Sequence, residues 1–310
     1  MVPKFPRIAV LGSINRDIVI RCARLPQQGE TVLADSSSEV AGGKGANQAV
    51  AAARLGGQVT MIGRVGDDVF GERLLTGLVR EKLDTSLVWQ TADCASGMAI
   101  VAVEQSGENS IIVVPGANGR FTEDDVAAAT DAIGSCDILL LQLEVCTNAV
   151  AAAIAVARQK GVRTILNPAP VVDQLPRNLL EVDVMCPNRI EASALAGRPI
   201  QSLDDAVSAA WQLSRMGPKS VVITMGSMGA VLSDGGQPEW CEPFPVDSVD
   251  TTAAGDAFAG ALAVRLGEGA MLREAVQFAC AAGAIATTRH GAQPALPSRE
   301  EVDALLRTRT

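Results

Sequence analysis

Residues 250–266 read D-T-T-A-A-G-D-A-F-A-G-A-L-A-V-R-L, a short polar turn that passes through Gly255 and Asp256 into an alanine-rich apolar run. After Asp256 only Gly260 interrupts that run before Gly267, so the spacing predicts a buried helix. Gly255 and Asp256 then fall in its first turn. Free N–H groups and the helix dipole attract anions there, and glycine lets a ligand come close to the backbone. The acid has two readings. It is a base that takes a proton from a nucleophile while the backbone holds the group under attack, or it is an ordinary acidic residue in a first helical turn. Both are open at this point.

Working outward, apolar runs of strand length alternate with helical periods. Residues 7–12 (R-I-A-V-L-G) predict a buried first strand, and 59–65 predict the next. The leucine-rich run 137–143 predicts a central parallel strand buried on both faces. Further strands are expected at 163–166, 184–186, 220–224 and 230–233. Helices are expected at 46–55, 69–82, 122–133 (opening on T-E-D-D), 147–160, 175–181, 202–215, 272–288 and 299–307. Less apolar runs at 17–21, 31–40, 86–90, 98–104 and 110–114 suggest an accessory sheet, with Q-S-G-E-N as the hairpin between the last two. The expected fold is α/β: an open, mostly parallel central sheet with helices on both faces, joined by right-handed crossovers, plus a small β-sheet. One unit spans 1–310, and the small sheet draws strands from about 17–41 and 98–115.

The polar residues gather at strand ends and helix starts, where open α/β sheets bind ligands. Asn15 and Asp17 follow the first strand and suit sugar hydroxyls, or they form a polar turn. A-G-G-K-G-A-N offers Gly43, Lys44, Gly45, Ala46 and Asn47 ahead of a helix. It is not a phosphate-binding GxxxxGK[ST] loop, because Gly45 follows the lysine. Glu144 ends the leucine-rich strand. Asn188 and Glu191, three apart, suit hydrated magnesium or phosphate, or a helix cap. Thr224, Gly226, Ser227, Met228 and Gly229 form a turn that could receive a nucleotide or make a hairpin.

Composition narrows the chemistry. The 310 residues carry a net charge of -9, which argues against nucleic acid or an anionic membrane as the main partner. No apolar run reaches the length of a membrane span, and no signal-peptide pattern opens the chain. Seven cysteines, an odd number with no C-x-x-C pair, fit reduced thiols in a cytoplasmic protein. A single histidine, His290, and no tyrosine leave carboxylates, lysine, backbone amides and a bound ion as the chemical tools.

V-L-G-S-I-N-R-D, A-G-G-K-G-A-N-Q-A-V-A-A, V-G-D-D-V-F-G, L-N-P-A-P, C-P-N-R-I-E-A, I-T-M-G-S-M-G and D-T-T-A-A-G-D-A-F-A-G-A-L occur here in the order seen in the ribokinase group of PfkB-type carbohydrate kinases. G-G-K-G-A-N and D-T-T-A-A-G-D resemble that family's two signatures, and the likeness runs from about residue 7 to the end. It implies a ribokinase-like three-layer sandwich whose small sheet is a lid and a homodimer contact. It implies ATP-dependent phosphorylation of D-ribose at the 5-hydroxyl, with Mg²⁺ and a monovalent cation such as K⁺. By the same resemblance Asp256 is the base, and Ala253, Ala254 and Gly255 form an anion hole. Asn15, Asp17, Gly43, Lys44, Gly45, Ala46, Asn47 and Glu144 face the sugar. Asn188, Glu191, Thr224, Gly226, Ser227, Met228, Gly229, Gly255 and Cys280 face the nucleotide and its Mg²⁺. Asp250, Thr252, Ala286, Arg289, Gly291 and Ala295 surround the K⁺. Cys280 and Ala295 depart from residues common in relatives, His or Asn and Ser respectively. The rival readings are deoxyribokinase, another pentose or nucleoside kinase, and a catalytically silent sugar sensor.

Overall fold

The computed structural model describes residues 5–104, 109–171 and 175–309. Its chain begins with β1 (Arg7–Leu11), β2 (Asn15–Cys22) and β3 (Ala34–Gly42), then α1 (Lys44–Arg54), β4 (Gln58–Gly66), α2 (Val69–Arg80) and β5 (Asp84–Thr91). There follow β6 (Gly97–Glu104), β7 (Asn109–Val114), α3 (Glu123–Ala128), α4 (Thr130–Ser135), β8 (Ile138–Leu141), α5 (Thr147–Lys160), β9 (Arg163–Leu166) and β10 (Val184–Met185). The remainder is α6 (Arg189–Ala196), α7 (Leu203–Ser214), β11 (Ser220–Thr224), β12 (Ala230–Ser233), β13 (Glu239–Cys241), α8 (Ala254–Gly267), α9 (Leu272–Ala286) and α10 (Arg299–Arg307).

Nine strands form one sheet in the order β13-β12-β11-β10-β9-β8-β1-β4-β5. Within it only the β11–β12 and β12–β13 pairings are antiparallel. The other four strands form a separate sheet, β3-β2-β6-β7. Strand periodicity explains the layers, because successive side chains point to opposite faces. Ile8 and Val10 of β1, with Ile138 and Leu140 of β8, enter the core beneath α1, α8 and α9. Their neighbours Ala9, Leu11, Leu139 and Leu141 enter the core beneath α3 to α7. A strand apolar at every position is therefore what two covered faces require.

The helix predicted after Asp256 is α8. It is buried nearly all round, lying between α1 and α9. Gly260 explains how α1 comes so near: a Cβ there would lie 2.7 Å from Ala51 Cβ and 2.8 Å from the Gln48 carbonyl oxygen.

Several elements differ from expectation. The run at 86–90 joins the large sheet as β5, because β4, α2 and β5 follow one another as a βαβ unit. The helix expected at 122–133 is two, α3 and α4, parted where Ala129 turns to ψ 0°. The helix expected at 175–181 is a single 3-10 turn, Arg177–Leu179, behind Pro176. α1 starts at Lys44 rather than Ala46, since Gly43, at φ 89°, makes the turn alone. Most of the Q-S-G-E-N hairpin, residues 105–108, lies outside the described residues; β6 and β7 pair antiparallel on either side of it. No helix among the described residues is long and apolar enough to cross a membrane.

Candidate active site

The chain leaves β1 for β4 on one side and returns to β8 on the other, so the strand order reverses between β1 and β8. Crevices at such a reversal, beyond the carboxyl ends of the strands, are where open α/β sheets hold ligands. Here the two strand ends are joined directly. Ser13 Oγ, just past β1, donates to Glu144 Oε2 just past β8, at 2.5 Å. The Lys44 backbone N–H donates to the same oxygen at 3.1 Å. Asn15 and Asp17 occupy alternate positions at the start of β2, so they share a face of the small sheet rather than a turn. Asn118 fixes the first of them: its Nδ2 donates to Asn15 Oδ1 at 2.7 Å, and its Oδ1 accepts from the Ile14 N–H at 3.0 Å.

Asp256 meets this cluster from α8. It is 7% exposed. Asn47 Nδ2 donates to its Oδ2 and Gln48 Nε2 to its Oδ1, each at 3.0 Å. Burial pushes the carboxyl up, and the Lys44 ammonium with the two amide donors only partly offsets this. Burial works against the Lys44 charge, yet Asp256, Glu144, Glu191 and Asp17 together hold its pKa above the usual lysine value. Burial, then the fields of Glu144 and Asp256, lift Asp17 to about 7. The Oδ1 atoms of Asp17 and Asn47 are buried without a hydrogen-bond partner among the described residues. Buried acceptors of this kind ask for a ligand donor.

The start of α8 has a backbone suited to an anion. Ala253 sits at φ 58°, a left-handed conformation uncommon for a residue with a Cβ, and from there the chain enters the helix. Gly255 is exposed, with open space where a side chain would stand.

On the far side of the crevice, Asn188 and Glu191 form a reciprocal helix cap. Asn188 Oδ1 accepts from the N–H of Ile190 and Glu191, and Glu191 accepts from the Asn188 N–H and Nδ2. The capping reading of this pair is thus realised, with Glu191 also buried near Lys44 and Asp256. Thr224 lies alongside, its N–H donating to the Pro187 carbonyl at 3.0 Å. Gly226, Ser227 and Met228 make an open 3-10 turn beyond it. Trp240 Nε1 donates to the Met228 carbonyl at 2.8 Å. Cys280 is buried and shares a hydrogen bond with Cys241, which together with burial holds its thiol far above the usual range. The Cys241 carbonyl in turn lies against Gly229.

Asp250 ties its own turn to the segment beyond α9. Its carboxylate accepts from Thr252 N–H (2.9 Å), Thr252 Oγ1 (2.6 Å) and Gly291 N–H (2.9 Å). Burial alone would lift its carboxyl; these bonds outweigh burial and hold it below the usual value. The carbonyls of Thr252, Ala286, Arg289 and Gly291 accept no hydrogen bond among the described residues. The Arg289 side chain pairs with Glu301, and Ala295 is fully buried in a 3-10 turn. No cluster of three or more acids, histidines or cysteines suited to a metal occurs among the described residues.

Residues 6–299 match the profile of the pfkB family carbohydrate kinases. The chain belongs to that family. The kinase is 38% identical to the ribokinase of Haemophilus influenzae, over 95% of this chain and 96% of the relative. It is 35% identical to the deoxyribokinase of Salmonella typhi, over 96% of this chain and 98% of the relative. Its fold is similar to that of Arabidopsis thaliana ribokinase, solved with ribose and ATP, at a TM-score of 0.89 and 33% identity, covering 98% and 99% of the two chains.

Four polar groups of the kinase crevice escaped the sequence reading: Ser13, Gln48, Asn118 and Gln142. Gln48 stood inside the quoted A-N-Q-A-V, but nothing local separates it from a surface glutamine. Its partners lie 94, 119 and 208 positions away.

Proposed function

We propose that this kinase transfers a phosphoryl group from ATP to the 5-hydroxyl of D-ribose, giving D-ribose 5-phosphate. One observation carries the proposal: a buried carboxylate, Asp256, held on both oxygens by amide donors, next to the exposed, open first turn of a helix. Phosphoryl transfer needs positioning, charge neutralisation and removal of the hydroxyl proton. Asp256 accepts that proton. The backbone of Ala253 to Gly255 is the anion hole: the Gly255 N–H faces the phosphoryl group as charge builds on its oxygens, while the Ala254 N–H, which donates to the Thr251 carbonyl at 3.3 Å, would have to leave that partner to join it. Asn15, Asp17, Lys44, Asn47 and Glu144 hold the sugar. The unpartnered acceptors on Asp17 and Asn47 favour a ligand rich in hydroxyl donors.

Asn188, Glu191 and the 224–229 turn hold the nucleotide. Glu191 is an acid buried beside a single ammonium, Lys44, and fits a divalent cation held through water. Bound Mg²⁺ supplies charge neutralisation on the polyphosphate. The four unclaimed carbonyls, that of Thr252 just ahead of Ala253 and those of Ala286, Arg289 and Gly291 at and beyond the end of α9, fit K⁺, an oxygen-seeking cation. The small sheet is the lid and the contact of a homodimer, supported by the exposed apolar run Ile111, Ile112, Val113 and Val114 on β7. Unpaired thiols throughout the chain support a reducing, cytoplasmic setting.

The test is ADP release from the purified protein with ribose, 2-deoxyribose, fructose and adenosine, with and without K⁺. Ribose with K⁺ should turn over fastest. Asp256→Asn should lower kcat by roughly 10²–10⁴-fold, the usual share of a general base, while ribose still binds. Near-normal turnover in that variant would sink the assignment. A second reading, with 2-deoxyribose as acceptor, is favoured by the similarity to Salmonella typhi deoxyribokinase. A higher kcat/KM for 2-deoxyribose would establish it.

A further inference from the structure

Behind Asp256 runs a row of side-chain amides, half-buried at Asn167 and buried at Gln48 and Gln142. It starts at the Cys186 carbonyl, which can only accept, and Asn167 Nδ2 donates to it at 3.0 Å. Asn167 must therefore turn its Oδ1 the other way, where it accepts from Gln48 Nε2 at 3.0 Å. With its nitrogen on that side, Gln48 has a second proton, which it gives to Asp256 Oδ1. Gln48 Oε1 faces back and accepts from Gln142 Nε2 at 2.6 Å. One backbone carbonyl thus sets the direction of the whole row. Turning the Gln48 amide over would set oxygen against Asp256 and Asn167, and nitrogen against nitrogen at Gln142. Gln48 and Gln142 are both wholly buried, and Gln142 Oε1 has no partner among the described residues. A buried amide left half-satisfied costs stability.

We propose that Gln48 is the positioning residue for Asp256: locked by Asn167 and Gln142, it fixes the carboxylate plane and keeps Asp256 ionised and ready to accept the sugar proton. This rests on the reading of Asp256 as the base. The charged groups facing Asp256 are Lys44 of α1, Asp17 of β2, Glu144 beyond β8 and Glu191 of α6. Three are acids that favour the protonated carboxyl, so the donor from Gln48 works with Lys44 and Asn47 against them.

The test uses Gln48→Leu, which removes the donor at similar size, and Gln48→Glu, which keeps the shape but adds an acid. In both, kcat should fall by about 10-fold or more, while the ribose Kd from calorimetry changes by less than about 3-fold. The acid limb of the kcat–pH profile should move upward by about one pH unit, as expected for a lost donor to a charged group. In an Asp256→Asn background, Gln48→Leu should add no further loss. Gln142→Leu, which takes away the donor to Gln48 Oε1 while Asn167 still sets the direction of the amide, loosens Gln48 and should shift the limb in the same direction by a smaller amount; it covers the case in which the Gln48 variants do not fold. An unmoved acid limb, or a loss that adds fully to that of Asp256→Asn, overturns the proposal and leaves Asp256 as base. Near-normal turnover in Asp256→Asn alone overturns both.

Discussion

Asp17 makes a prediction distinct from that of Asp256, because its proton comes off near neutrality. Its pKa is about 7 in the folded chain, against 3.8 for a free carboxyl. Between those values the folded state binds more protons than the unfolded one, so its contribution to stability falls as pH rises through the window and levels off above it. Asp17→Asn should therefore stabilise the ligand-free protein at pH 8 by about 1–2 kcal/mol, allowing for water's access to a half-buried group, and by little at pH 4. Urea unfolding at the two pH values checks this, and equal effects at both would count against it. At this scale the sequence was legible where a residue stands at a strand end or helix start, as Asp256, Asn15 and Glu144 do. It was silent on Gln48 and Gln142, whose amides acquire meaning only through partners in other elements. For Asn188 and Glu191, spacing alone could not separate a cap from an ion site; the cap is formed, and the same acid faces the crevice.

Among elements, the contact between α1 and α8 does most to set the crevice, since it carries Asn47 and Gln48 to Asp256. Gly260 is where that contact has no room. An exposed helical Gly→Ala change usually stabilises by about 1 kcal/mol. Here the new methyl would meet Ala51 and the Gln48 carbonyl, so Gly260→Ala should instead cost about 1–3 kcal/mol, the range for overpacking. Thermal unfolding gives the sign, and kcat should fall with it as Gln48 is pushed from its place. A rise in stability would mean that the helices part without effect on the site. The alternation of strands and helices was readable because strands covered on both faces are unbroken apolar runs. The placement of β5 was not, since Ser86 to Gln90 carries little apolar alternation and only its succession after α2 commits it to the large sheet. The break at Ala129 has no glycine or proline to announce it.

In the molecule as a whole, the two sheets are coupled at the crevice. β2 leaves directly from the end of β1, and β3 runs through Gly42 and Gly43 into α1. Motion of the small sheet would carry Asn15 and Asp17 relative to Asp256. If a second copy packs on its exposed β7, Ile112→Asp should give a monomer by sedimentation and weaken ribose binding by leaving the small sheet unsupported; an unchanged mass would count against β7 as a contact between copies. The absence of tyrosine has a separate, optical consequence. With excitation beyond the phenylalanine band, emission from this protein comes from tryptophan alone, at positions 89, 211 and 240. Trp89 is packed by Phe121, its ring centre 6.2 Å away, and Trp211 lies on the outer face of α7. Trp240, half in water, is fastened to the Met228 carbonyl and so to the turn proposed for the nucleotide. The protein thus carries its own fluorophore at the turn proposed for the nucleotide: adding ATP should change the emission of the native protein and leave that of Trp240→Phe unaltered, which a simple titration in a fluorimeter will decide.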